Sequence, residues 1–347
     1  MFISAYRPPP LPPVPSSARV ASTAAAPPGL GFKSKTTNDR GAYFRKVETG
    51  PSTAYRGITG TGYLPEVAFD PKRYYVSPNG MDHYQTGPLD RPSVYMGGNA
   101  NGHEADVGLS WDRVYDSRGR ATYTDMAEGS DMRNPEHRFV MEKRGNLSVL
   151  VDGNGKEVAT GAAAEARLKQ LKPNFAFRPY WRTNNNGKNE WNNPKPGSAE
   201  NVYFYPGEKF TMSVSDAGKG QIRLDIKGED GISNVRFSKP IAAQGFGEGG
   251  AESFKRVNSI DQFYADSTGR HSVEKRNVIP TRTHTWNGGW ESVTLLGRNG
   301  SRVPMAGSSF TEIRGADTAK KYDDIFKLWG FDNKKGGERV DIVPFSN

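Results

Sequence analysis

Residues 103–112 (HEADVGLSWD) hold the arrangement best suited to chemistry. Written as an extended strand, they send His103, Ala105, Val107, Leu109 and Trp111 to one side. Glu104, Asp106, Gly108, Ser110 and Asp112 go to the other, because successive side chains alternate. The first side is mostly apolar; the second is a row of carboxylates, a hydroxyl and a glycine. Glu104 and Asp106, two residues apart on a strand, would stand roughly 6.6 Å from each other. Carboxylates so placed serve glycoside cleavage, one as acid and the other as nucleophile or base. On a concave sheet the same row forms a polar groove that binds without cleaving, and on a flat one it is merely a charged, solvated edge.

A second cluster lies in residues 175–193 (FAFRPYWRTNNNGKNEWNN), where Tyr180, Trp181 and Trp191 flank Asn184, Asn185, Asn186 and Asn189. Sugars pack their C–H faces on aromatic rings, and amides and charged groups hydrogen-bond their hydroxyls, so this is an apolar lining with placed polar groups. Tyr180, Trp181, Asn185 and Trp191 join Glu104 and Asp106 as candidate ligand contacts; the alternative is a surface loop anchored by its tryptophans. Residues 283–291 (THTWNGGWE) read as a turn at Asn287, Gly288 and Gly289, with Trp286 and Trp290 as a cross-strand aromatic pair. Residues 245–250 (GFGEGG) fit G-x-G-x-x-G only formally. No strand–helix context surrounds them and Glu248 would repel a phosphate, so a flexible loop is expected.

The absence of cysteine excludes disulfides, thiolate metal sites and cysteine nucleophiles. His83, His103, His137, His271 and His284 lack metal-ligand spacing. No cofactor is expected, although loop carboxylates and carbonyls are compatible with a structural calcium ion.

The Glu104-Ala105-Asp106 step on a sandwich strand resembles the catalytic strand of the concanavalin A-like lectin/glucanase superfamily. Laminarinase-type members carry Glu-x-Asp followed by a second Glu. The resemblance implies a nucleophile role for Glu104 and an assisting role for Asp106. The chain departs from the pattern at Gly108 and Leu109, where the acid should stand, and this implies a lectin-like relative.

Strands must position these residues. Phe210, Met212 and Val214 alternate with polar residues, residues 216–220 (DAGKG) turn, and Ile222, Leu224 and Ile226 alternate again: a hairpin with one buried face. Residues 147–159 predict a second hairpin around Asp152-Gly153-Asn154-Gly155. Residues 292–305 predict a third around Arg298-Asn299-Gly300. Helices are expected only at 162–171, ended by Pro173, and at 318–329. With 40 glycines and 24 prolines in 347 residues, the fold class is mostly β: an antiparallel two-sheet β-sandwich, jelly-roll-like, with a few short helices.

Residues 1–45 read as a disordered basic tail rich in Pro, Ala and Ser, and 46–347 as one large sandwich domain. Of the net charge of +9, residues 1–62 contribute a surplus of six, which suits attraction to an anionic surface. No window is apolar enough for a transmembrane segment, and no secretory signal is recognisable. The expectation is a non-catalytic carbohydrate-binding protein with a polysaccharide or glycan partner, extracellular or at a cell surface. The rivals are a glycoside hydrolase or polysaccharide lyase using Glu104 and Asp106, and a structural, coat or secreted interaction protein assembling through its tail.

Overall fold

The structure, a computed structural model, describes residues 29–37, 41–76, 86–127, 134–229, 235–265, 271–273, 278–316 and 322–345. Two nine-stranded sheets dominate. Across the first, neighbours run Lys33–Thr37, Phe310–Gly315, Ala42–Thr49, Glu252–Ala265, Asp90–Ala100, His103–Arg113, Phe175–Asn185 and Lys188–Asn192. Across the second they run Arg236–Ala242, Gln221–Gly228, Lys209–Asp216, Tyr55–Tyr63, His284–Gly297, Gly337–Ile342 and Phe326–Asp332. Short strands extend both. The sheets face each other, as a mostly β sandwich must.

Alternation decides which side chains meet between the sheets. Val94, Met96, Val107, Leu109, Trp111 and Phe254 of the first sheet form one buried cluster with Ile58, Phe210, Met212, Val214, Leu224, Trp290 and Leu295 of the second. Each such side chain, fully buried, contributes about 1.5–3 kcal/mol. The expected hairpin pairs Phe210 to Asp216 against Gly228 to Ile222. The other two also form: Leu147–Asp152 pairs with Glu157–Thr160, and Leu295 opposes Val303. A third, five-stranded sheet includes the Leu147–Asp152 hairpin and packs Leu150 and Phe139 against Ala164 of the helix Gly161–Leu168.

Several elements differ from expectation. Order begins before residue 46: Lys33–Thr37 and Ala42–Thr49 are strands, the first pairing parallel with Phe310–Gly315. Residues 1–28 of the expected tail lie outside the described residues, as does His83. The helix expected at 318–329 is one turn, Tyr322–Ile325, within the described residues. Phe326–Asp332 is instead a strand paired with Gly337–Ile342, which lets Phe326 pack with Val340 and Ile342.

Trp286 and Trp290 share one strand, His284–Gly297, and are not a cross-strand pair. Asn287 (φ 59°) and Gly289 (φ 125°) form a bulge in place of the expected turn. Trp290 is buried against Phe210 and donates through Nε1 to Asn258 Oδ1 at 3.0 Å. The 245–250 loop is pinned by the fully buried Phe246.

A buried ion network ties the sheets together. Arg45 Nη2 lies 2.8 Å from Glu338 Oε2 and 3.4 Å from Glu312 Oε2; Arg256 Nη1 lies 2.7 Å from Glu338 Oε1. Among the described residues no helix is long and apolar enough to cross a membrane, a fact silent on β-barrels.

Candidate functional site

His103–Arg113 is a strand throughout, between Asp90–Ala100 and Phe175–Asn185. Ala105, Val107, Leu109 and Trp111 enter the core as the alternation predicts. The opposite side chains face outward, and register fixes their neighbours. Asp106 opposes Gly97 and Arg182; Gly108 opposes Tyr95 and Tyr180; Ser110 opposes Ser93 and Arg178. One strand further, Lys255 opposes Gly97 and Ser259 opposes Ser93. Opposed residues in an antiparallel pair share a face, so all of these occupy the outer face of the first sheet.

That face is recessed. Asp106 and Lys255 are each only 5% exposed, and Ser93, Ser259 and Tyr180 are buried with them. Lys255 Nζ lies 2.5 Å from Glu104 Oε1 and 2.5 Å from Asp106 Oδ1, while Arg182 Nη1 donates to Asp106 Oδ2 at 3.1 Å. Gly97 makes this possible. It stands between Lys255 and Asp106 in the register, so no side chain blocks the ammonium from crossing one strand. A Cβ there would sit 1.9 Å from the Ala105 carbonyl oxygen.

The charges reinforce one another. Burial pushes the Glu104 carboxyl up, but the Lys255 ammonium outweighs it and holds Glu104 below its ordinary value. Burial pulls Lys255 down, and Asp106 and Glu104 reverse this to raise it. Both groups therefore stay charged near neutrality. Gly108 also explains the departure from the glycosidase pattern: a Cβ would lie 2.6 Å from Tyr95 Cα, which leaves no room for an acid side chain.

Beside this pair, Ser93 donates to Asp261 Oδ2, and Ser259 Oγ donates to the same oxygen at 3.2 Å. Burial pushes the Asp261 carboxyl up to about 6; the serine hydrogen bonds lower it and the Asp106 charge raises it further. Because the folded value exceeds the ordinary 3.8, the stabilisation from this proton is full below about pH 4 and is lost as pH rises through about 6. Urea titrations of wild type and Asp261→Asn between pH 4 and 7 should show the wild type losing ground to the variant as pH rises. A constant difference would contradict the raised value.

An aromatic wall completes the recess. Trp191 opposes Arg182 in the register, its ring stacks on Tyr180 at 4.8 Å, and Phe263 meets it edge-on at 6.3 Å. Tyr180 in turn meets Tyr95 at 5.9 Å. Trp191 remains 40% exposed.

Four of the six candidate contacts thus converge: Glu104, Asp106, Tyr180 and Trp191. Trp181 and Asn185 do not join them. Trp181 opposes Val107, so it faces between the sheets, stacking on Phe237 at 6.4 Å under Lys239. Asn185 donates to Ala242 O at 3.2 Å and accepts from Gln244 N at 3.0 Å, joining two backbone segments. Both follow from strict alternation along Phe175–Asn185, which places neighbours 180 and 181 on opposite faces. Lys255, Ser259 and Asp261 are absent from the sequence-based candidates although alternation along residues 253–263 carries them, masked by charges on both faces; Ser93, also absent, joins them from Asp90–Ala100 through its register with Ser259.

No family model matches the chain, and no curated protein matches it. Among solved structures, scytalido-glutamic peptidase with a peptide-based transition-state analogue is similar at 8% identity and a TM-score of 0.39, covering 88% of this chain and 100% of that one. SCP-B, a member of the eqolisin family of peptidases in complex with the tripeptide Ala-Ile-His, is similar at 8% identity and a TM-score of 0.35, with the same coverage. Likeness of this degree specifies neither a site nor a chemistry.

Proposed function

We propose that the outer face of the first sheet binds carbohydrate without cleaving it. The observation that carries this reading is the indole of Trp191, backed by Tyr180 and half open, at the side of a recess lined by charged and hydroxyl groups. A stacked, rigid aromatic offers a flat apolar face at little entropic cost. Arg182 and Glu104, each partly exposed beside it, supply a donor and an acceptor for ring hydroxyls. The second acid of the glycosidase pattern has no counterpart at Gly108, where a side chain would strike Tyr95, so binding is favoured over cleavage. A glycan ligand fits an extracellular or cell-surface setting.

A glycan array tests the idea. The wild type should bind a subset of glycans, and Trp191→Ala should bind them about tenfold more weakly, equivalent to about 1.4 kcal/mol. Trp181→Ala, on the opposite face, should leave binding intact. A wild type that captures no glycan ends the proposal. Reducing-end release from a polysaccharide panel, lost in Glu104→Gln, would favour a hydrolase instead.

A further inference from the structure

A cleft of about 740 Å³ lies away from the recess, where the five-stranded sheet meets residues 115–120 and 197–203. Its floor is apolar. Val140 opposes Val151, and with Val149 they form a buried cluster on the sheet face turned from the helix. Tyr115 and Tyr203 stand in the wall.

The polar groups around this floor are unequally engaged. Asp116 and Glu142 are already neutralised by Arg120, at 2.6 and 2.7 Å, and Glu142 also by Arg144 at 3.2 Å. Asp152 Oδ1 accepts the backbone amides of Asn154 and Lys156, both at 2.9 Å. Arg138 lines the same cleft, two residues from Val140 on one strand face, and its guanidinium makes no ion pair or side-chain hydrogen bond among the described residues. Arg118 is 73% exposed and reaches Glu142 only at 3.8 Å. The charges of the lining balance, Asp116, Glu142 and Asp152 against Arg118, Arg120 and Arg138, but Arg138 has no ion-pair partner among the described residues and is the cation left to meet a ligand.

Tyr203 adds a donor. Its hydroxyl accepts from Tyr115 N and Asn201 Nδ2, each at 2.7 Å, which leaves its own proton to give away. Burial raises that phenol to about 12, so the proton is present at neutral pH.

We propose that this cleft binds a small organic carboxylate, its anionic end on Arg138 and its apolar body on Val140 and Val151. Guanidinium matches carboxylate through two parallel hydrogen bonds. A cleft of this volume with an apolar floor and a few converging polar groups is the usual form of a small-molecule site. A neutral ligand of the same shape would leave Arg138 without a counter-charge.

Calorimetric titration of the full chain with 2-naphthoate, and with the neutral 2-naphthamide, tests this. The carboxylate should bind at micromolar to millimolar concentration, the amide at least about tenfold more weakly. Arg138→Gln should weaken naphthoate by at least about tenfold, and Arg138→Lys, which keeps charge but not the planar fork, by less. Trp191→Ala should bind as wild type does. Thermal unfolding checks that Arg138→Gln is folded. No naphthoate binding by the wild type at millimolar concentration, or equal binding by a folded Arg138→Gln, overturns the proposal; a loss confined to Trp191→Ala would move the anion to the recess and overturn it too.

Discussion

Glu338→Gln should cost about 3–5 kcal/mol of stability, because it leaves two buried guanidinium groups without their shared counter-charge. Glu338 is 0% exposed and touches Arg45 with one carboxylate oxygen and Arg256 with the other. Glutamine keeps the shape and removes the charge, so the loss isolates electrostatics from packing. Glu312 remains 3.4 Å from Arg45, but it also pairs with Arg314 and offers Arg256 nothing comparable. Four nitrogens of the pair, Arg45 Nε and Nη1 and Arg256 Nε and Nη2, make no hydrogen bond in the structure, so little else offsets their burial. Chemical denaturation with a fixed m-value reads the change directly. A loss below about 1 kcal/mol would mean that solvent or relaxation compensates both cations.

The second large effect is expected at Lys255. Lys255→Met keeps the aliphatic stem and removes the ammonium that both Glu104 and Asp106 share. Asp106, nearly buried, then depends on Arg182 alone, and stability should fall by about 3 kcal/mol. Adding Asp106→Asn to Lys255→Met should restore a good part of this, with a coupling of about 1–3 kcal/mol in a double-mutant cycle. Simple additivity would show that the two groups do not depend on each other. Glycan binding, in contrast, should not return in the double variant, since Glu104 and Arg182, which face the ligand, have each lost the charged partner that holds them in place. Stability and binding therefore separate the structural and functional contributions of one ion pair.

How much of this was legible in the sequence depended on whether side-chain pattern and local spacing were enough. Residues 103–113 and 210–226 were readable because apolar and polar residues alternate cleanly there, and the structure keeps both readings. Ala42–Thr49 was not. Its core face reads Tyr43, Arg45, Val47, and an arginine in the middle of an apolar row argues against burial unless its partner is known. That partner, Glu338, lies 293 residues away. Glu252–Ala265 hid its faces in the same way, with Arg256 inside and Lys255 outside. Residues 326–329 read as the end of a helix because Asp317 offers an N-cap and Gly330 a stop, and tertiary pairing with Gly337–Ile342 overrode those local signals. Glu104 and Asp106 could be found from spacing, whereas Lys255 came into view only with the register of two further strands.

The position of Glu338 also bears on how the chain is made. Arg45 leaves the ribosome first, Arg256 some two hundred residues later, and their common neutraliser about eighty residues after that. Until then, closing the two sheets would trap Arg256 without a counter-charge and leave Arg45 with only Glu312 beside it, so the nascent polypeptide has an electrostatic reason to stay open. Closure of the sandwich is thereby expected to wait for the strand that carries Glu338, and a product cut short of it should be left as a substrate for chaperones and proteases.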